Sequence, residues 1–232
     1  DETTRFFCSG SLRVGNRTFR CHKAGGHGSL TVREAIPRSC NVFFYNVAYR
    51  AGLDVPAMHK YALMYGLGKK IGIDLPGERR GFIPEQSKYS GDSVNTAIGQ
   101  GMVLVTPLQM ANVISVIANR GVSYKPHLVR LLNGSQNKPE ILVDLRDQVS
   151  SNTINLIRDV VLNVARAGLN KEVNLKNLQT GGKTGTAQNP HGNEHAWYLG
   201  FAPFDIARIA VAVVVENAGR GAEAAAPIAG QM

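Results

Sequence analysis

The sequence has no apolar run long enough to span a bilayer: the longest, Ile209 to Val215, is far short of the ~20 residues that a spanning helix needs. It also lacks a charged start followed by an apolar stretch, so nothing reads as a signal peptide. Aromatic residues make up 7% of the chain, with one Trp, and they never interleave with basic residues as on an RNA-binding face. Lys and Arg number 26 against 17 acids, but these charges are spread singly, so the net +9 reads as a solvated basic surface and no nucleic-acid partner is expected. There is no internal repeat and no low-complexity segment. Cysteine is scarce: there are three, all at or before position 40. What is present, 232 residues at 44% hydrophobic and 19% charged, suffices for one globular domain or most of a larger one. Asp1 opens without a start Met, and Glu223 to Ala229 enters a helix-like pattern that then stops, so a piece of a longer protein is expected.

Residues 1–28, rich in Gly, Cys, His and Arg, show no sustained period and read as irregular and cross-linked, with one short strand at Thr18 to Arg20. From Ser39 the apolar positions Val42, Phe43, Val47, Ala48 and Ala51 follow helical spacing up to Gly52. A second helix runs from Asp54, a good N-cap, to Gly66, and Gly72 to Gly91 is a long surface connection. Thr106-Pro107-Leu108-Gln109 starts a third helix through N-cap, first-turn Pro and capping box, ending at Gly121 with Met110, Val113, Ile114, Ile117 and Ala118 toward the core. Lys125 to Leu132 reads as strand, Asn133 to Lys138 as a polar loop, and Ser151 to Ala167 as a helix burying Ile154, Ile157, Val160, Val161 and Val164. Thr180 to Gln188, Ala196 to Phe201 and Arg208 to Glu216 then form an antiparallel meander, turning first through Asn189 to Glu194. The fold class is mixed α+β: an antiparallel sheet packed with helices.

The chemistry centres on Gly181-Gly182-Lys183-Thr184-Gly185-Thr186-Ala187-Gln188. One Lys among small residues on a strand lets a substrate backbone lie close, while Thr hydroxyls and backbone N–H groups can hold a carboxylate or an oxyanion. A phosphate-binding P-loop shares the GKT ending, but that pattern needs Gly where Asn177 stands. A Gly-rich turn with an exposed Lys is the plain structural alternative. Likewise Ser39 is, at its plainest, an N-cap and Asn41 a helix-start residue.

Ser39-Cys40-Asn41 followed by Lys183-Thr184-Gly185 resembles the SxN and KTG motifs of penicillin-binding proteins. Ile98-Gly99-Gln100-Gly101 and Thr106 to Ala111 lie between them in matching order, so the resemblance covers nearly the whole chain. Gly26-His27-Gly28, the Ser39 to Tyr45 run and the Glu223 to Ala229 ending are most similar to elongation-type class B members. The resemblance implies the penicillin-binding-protein/β-lactamase-like fold, here as the C-terminal part of a transpeptidase domain, acting on peptidoglycan stem peptides and taking β-lactams. It implies that Ser39 and Lys183 pass a proton to the leaving group, Asn41 holds the peptide amide, and Thr184, Gly185 and Thr186 receive the carboxylate, with the Thr186 N–H in the oxyanion hole. Partners implied are a membrane glycosyltransferase and elongation scaffold proteins, at the extracytoplasmic (periplasmic) face of the inner membrane, with an N-terminal anchor outside these residues.

One departure stands out. The family's Ser-x-x-Lys nucleophile motif precedes SxN, and none occurs before Ser39; Ser135-Gln136-Asn137-Lys138 has the letters but follows SxN in a Gly/Asn/Pro loop. The nucleophile is therefore expected upstream of Asp1, and this chain alone is expected to be inactive. A D,D-carboxypeptidase or β-lactamase of the same fold, or a non-catalytic module binding β-lactam or cell-wall peptide, would carry the same motifs. No cofactor is expected for catalysis.

Cys8, Cys21, His27 and Cys40 form a Cys3His set, an accepted tetrahedral zinc combination, although the spacing is not the tight C-x2-C of zinc fingers. Elongation-type relatives are similar in carrying metal-capable residues at these places. Residues 1–40 are thus expected to be tied by a structural zinc; a Cys8 to Cys21 disulfide with Cys40 as a buried thiol is the alternative, and His22 is a rival ligand. Because Ser39 and Asn41 face the cleft in this reading, Cys40 points the opposite way.

Overall fold

The computed structural model describes residues 1–164 and 178–232, which divide into two compact units, one of 1–61 with 83–103 and one of 62–82 with 104–232. In the first unit, the stretch expected to be irregular carries four short strands: β1 (Phe6–Cys8), β2 (Ser11–Val14), β3 (Arg17–Arg20) and β4 (Gly28–Leu30). They pair as two antiparallel ribbons, Phe6 opposite Leu30 and Ser11 opposite Arg20. Strands of three and four residues are too short to show a period of two, and only β3 overlaps the expected Thr18 to Arg20. A single turn, α1 (Val32–Ala35), follows, then α2 (Asn41–Tyr49), α3 (Val55–Met64) and α4 (Ser90–Thr96). Helix α2 lays Val42, Phe43 and Tyr45 into a core with Leu12, Val14, Leu30 and Val94, where Phe6 and Phe43 meet edge to face at 5.5 Å. Asp54 caps α3 as expected, its carboxylate accepting from the Ala57 N–H at 2.9 Å.

The second unit is built on α5 (Pro107–Ala118), whose capping box forms as its sequence dictates: the Gln109 N–H donates to Thr106 Oγ1 and the Thr106 N–H to Gln109 Oε1. Gln109 does more than cap. It is fully buried, and its Nε2 donates to the carbonyls of Lys69, just before the long surface connection, and of Arg80 within it. Nor is α5 a one-sided stripe: Ile114 and Ala118 enter one cluster, while Val116 joins Val143 and Leu145 in another.

Strand β5 (Val122–Tyr124) stops before the expected range, and residues 125–130 are not strand; within them the Asp74 carboxylate takes the N–H groups of Leu128 and Val129 at 2.7 and 2.9 Å. The expected loop is a hairpin, β6 (Leu131–Leu132) and β7 (Ser135–Gln136), turned by Asn133 and Gly134 at φ 49° and 81°, and β8 (Ile141–Asp144) returns to pair with β5. Helix α6 (Ser151–Val164) buries Ile154, Val160, Val161 and Val164 as read, with Ile157 half-buried; its expected end at Ala167 lies outside the described residues. The meander is present: β9 (Gly181–Ala187), β10 (His195–Ala202) and β11 (Ile209–Val215), in spatial order β11-β10-β9, with α7 (Ala225–Gln231) after it. Alternation decides the faces. Tyr198 and Ala196 pack with the alanines of α7, and Leu199 and Phe201 pack with Ile114, Ala118 and Val161 of α5 and α6. No helix among the described residues is long and apolar enough to cross a membrane.

Candidate active site and metal centre

In the second unit, the ladder sets Lys183 opposite Leu199, Thr184 opposite Tyr198 and Gly185 opposite Trp197. Directly opposed residues share a face, so Lys183 projects with Leu199 on the α5 and α6 side, and Thr184 and Thr186 project the other way. The structure thus gathers Lys183, Thr184, Gly185 and Thr186 on one strand at one edge of the described sheet, with the Lys and the two Thr side chains on opposite faces. Lys183 Nζ donates to the Thr184 carbonyl at 2.9 Å, and burial pulls its pKa from 10.5 to about 8, so a modest change of surroundings exchanges its proton near neutral pH. Thr186 is exposed; Thr184 and Gly185 are half-buried. Gly182 has no room for a side chain: a Cβ there would stand 2.1 Å from the Tyr198 hydroxyl.

In the first unit, Ser39 is not the N-cap. Cys40 takes that position and Asn41 opens α2, while Ser39 adopts φ 47°, a left-handed backbone that is rare for a residue with a side chain. Ser39 and Asn41 are half-buried and Cys40 is completely buried. The Asn41 amide faces the Arg20 carbonyl at 3.5 Å, which also accepts from the Tyr45 hydroxyl at 3.2 Å. Ser135 lies in the exposed strand β7, with Lys138 beyond it, so the two share no helix face.

Cys40 points at the other three members of the Cys3His set. The thiol sulfurs of Cys8, Cys21 and Cys40 and a ring nitrogen of His27 all lie within 4.8 Å of one another, with Cys8 Sγ and Cys21 Sγ 3.7 and 3.6 Å from His27 Nδ1. All three are free thiols. The rival His22 is exposed, its Nδ1 3.9 Å from Cys21 Sγ, and only its ring approaches that of His27, at 5.1 Å. Two glycines bring the ligands in. The backbones at 8–10 and 24–27 touch so closely that a Cβ on Gly10 would stand 2.0 Å from the Ala24 carbonyl, and one on Gly26 2.1 Å from that of Cys8. The His27 N–H to Cys8 carbonyl and Cys21 N–H to Gly10 carbonyl bonds, 3.1 and 2.8 Å, lock the crossing. Burial, then the charges of His22, Lys23 and Arg38, lowers the His27 pKa and keeps the ring neutral, the form that ligates.

Residues 1–232 match the family described as the penicillin binding protein transpeptidase domain. The peptidoglycan D,D-transpeptidase MrdA of Acinetobacter baumannii is 31% identical over 236 residues, covering 89% of this chain and 34% of that protein. The crystal structure of Pseudomonas aeruginosa PBP2 in complex with WCK 5153 superposes with a TM-score of 0.87 at 29% identity, over 99% of this chain and 53% of that one. PBP2 from Helicobacter pylori, in its complex with MreC, gives 0.85 at 26% identity, over 99% and 44%. The chain spans roughly a third of the length of the sequence relatives it matches, 34% to 39% for MrdA of A. baumannii and Haemophilus influenzae.

Proposed function

The chain belongs to the penicillin-binding-protein transpeptidase family, in its PBP2-type class B branch, and from that premise we propose that it is the C-terminal part of a peptidoglycan D,D-transpeptidase domain working on D-Ala-D-Ala stem peptides. In this reading a Ser-x-x-Lys serine outside residues 1–232 attacks the penultimate D-Ala carbonyl. The new acyl–oxygen bond forms as the C–N bond to the terminal D-Ala breaks, and the proton that the serine hydroxyl gives up must reach the departing amine. Ser39 and Lys183 relay it, and a second stem-peptide amine later takes the acyl group. Asn41 holds the donor peptide's amide; Thr184 and Thr186 hold its terminal carboxylate, with Gly185 giving backbone clearance and the Thr186 N–H one oxyanion bond, a donor worth about 3 kcal/mol.

The observation that carries this reading is β9: a strand of small residues whose single Lys is held by burial at about 8, near the pH at which a proton relay must gain and lose its proton. In the full-length protein, Lys183→Ala and Ser39→Ala should each slow acylation by a labelled penicillin at least about a hundredfold, with the thermal midpoint moved by only a few degrees. Unchanged acylation rates in both variants would sink the assignment.

The four-residue cluster is read as a structural zinc site. A tetrahedral zinc with bonds of about 2.3 Å to sulfur and 2.0 Å to nitrogen sets ligand atoms roughly 3.5 Å apart, and the sulfur to His27 distances of 3.6 and 3.7 Å suit it. Three soft thiolates and one imidazole favour zinc over the hard cations. Its work would be mechanical, tying Cys40 and thereby holding Ser39 and Asn41. We place the whole protein at the extracytoplasmic face of the inner membrane, anchored by a segment outside residues 1–232, and working with a membrane glycosyltransferase and an elongation scaffold; the MreC complex of the H. pylori neighbour supports the last partner.

A further inference from the structure

The face of the sheet that carries Lys183 also carries a cation that the proposed chemistry leaves unused. Arg158 of α6 is 1% exposed, one of the largest fully buried side chains. It forms an ion pair with none of the described carboxylates. Its guanidinium instead donates to the carbonyls of Ile117 and Ala118 at the end of α5, the first at 3.2 Å, and to that of Phe204 at 2.6 Å. It lies 4.8 Å from the centre of the Phe204 ring and 5.3 Å from that of Phe201, and the two rings stack at 5.8 Å. Three carbonyls and two ring faces offset the desolvation of a buried cation, but an aliphatic side chain would fill the same space without that expense. The arrangement therefore asks what the cation holds.

It holds Phe201, and Phe201 lies on the strand that carries Lys183. Phe201 is the ladder partner of Gly181, and a Cβ on Gly181 would stand 2.6 Å from the ring, so the ring rests directly on the β9 backbone two residues before Lys183. Leu199, the partner of Lys183, shares that face and that cluster. We infer that Arg158 is a positioning residue for Lys183, clamping Phe201 onto Gly181 between the end of α5 and the β10–β11 corner and so fixing the height of β9 and the depth at which Lys183 sits. This rests on the reading of Lys183 as a proton relay. A ring pressed on the backbone of the strand also explains why Gly181 bears no side chain: the clamp needs contact between ring and backbone.

The clamp makes Lys183's surroundings depend on a residue that never meets substrate, and a purely structural bolt does not predict that. In the full-length protein, Arg158→Met keeps an unbranched apolar stem and removes the donors. Penicillin acylation should slow about ten- to a hundredfold, the usual penalty for misplacing a reacting group by an ångström or less. The limb of the pH–rate profile belonging to Lys183, near 8 when the Lys is buried, should move upward as water reaches it. Phe201→Leu, which leaves Arg158 its carbonyl partners, should do the same and serves as the test where Arg158→Met does not fold. Val161→Ala, in the same cluster, should lower the thermal midpoint with the limb in place. An unmoved limb in the folded variants overturns the inference, as does an equal shift in Val161→Ala. Wild-type acylation in Lys183→Ala would instead remove the reading of Lys183 itself, so the two failures are told apart.

Discussion

The two units hold their candidate site residues in opposite ways. In the first, four side chains from a hairpin, a loop and a helix start converge on one point, and the backbone around them is irregular: Ser39 at φ 47°, Gly10 and Gly26 in contact with facing carbonyls. In the second, Lys183, Thr184, Gly185 and Thr186 sit on one strand, each placed by a ladder in continuous register from Gly181 to Ala187. A ladder distributes its constraint over many hydrogen bonds, so loss of one contact leaves the geometry standing. A four-point cluster concentrates it: remove the centre, and nothing periodic replaces it. On the proposed zinc reading the first unit stands on ligand chemistry and the second on packing, and removal of either support separates the two.

The largest effect is all or none. Residues 1–232 alone should give no covalent adduct with a labelled penicillin on a denaturing gel, while the full-length protein does. A labelled band that vanishes on Ser135→Ala would put a nucleophile in the β6–β7 hairpin of the second unit and overturn the division of labour. Next comes the metal. Protein purified without chelator should carry one zinc per chain and show three titratable thiols when denatured, and Cys40→Ala or chelation should lower the midpoint of the first unit by roughly 10 °C or more. No metal with one titratable thiol would establish the Cys8 to Cys21 disulfide instead.

A smaller effect separates the units by pH. Burial pulls Lys183 from 10.5 to about 8, so between these values the unfolded chain binds more protons than the folded one, and stability rises as pH rises through that window. The burden on the second unit is thus fully present below about 8 and gone above 10.5. Lys183→Met should raise stability by about 1–2 kcal/mol at pH 7 and by nothing at pH 10.5, measured by denaturant titration at the two pH values; equal gains at both would show that the Lys is not held against its charge. The smallest expected change is Thr106→Ala, which removes half of the capping box at α5 for about 1 kcal/mol, read from the same titrations, with the zinc content of the first unit untouched.

Much of the second unit was legible as sequence. Thr106, Pro107 and Gln109 specify a helix start through local hydrogen bonds, and the run Ala196 to Phe201 reads as strand, because both signals are made by residues a few positions apart. Gly181 to Ala187 could be placed on a strand for the same reason. The Cys3His set was legible as composition, from which three thiols and two candidate histidines could be named.

What the sequence could not settle is which distant groups meet. Nothing local says that Cys40 reaches Cys8, or that His27 rather than His22 faces the thiols; that follows from the crossing of Gly10 and Gly26 under facing carbonyls. The β1–β4 ribbon is invisible to a periodicity of two because each strand is three residues long and its partner about twenty positions away. Gln109 reads as a cap and turns out to pin Lys69 and Arg80, and Asp74 takes the amides of Leu128 and Val129. Arg158 is the sharpest case. In sequence it is one more charge on a helix; burial is a property of what surrounds a residue, and only the packed chain set three carbonyls and two aromatic rings around this one. Composition, period and motif thus determined most secondary elements and the family resemblance, because those depend on near neighbours, whereas the convergence of Cys8, Cys21, His27 and Cys40, the face to which Lys183 projects and the packing of Arg158 on Phe201 were decided by tertiary structure, because those depend on contacts between distant residues.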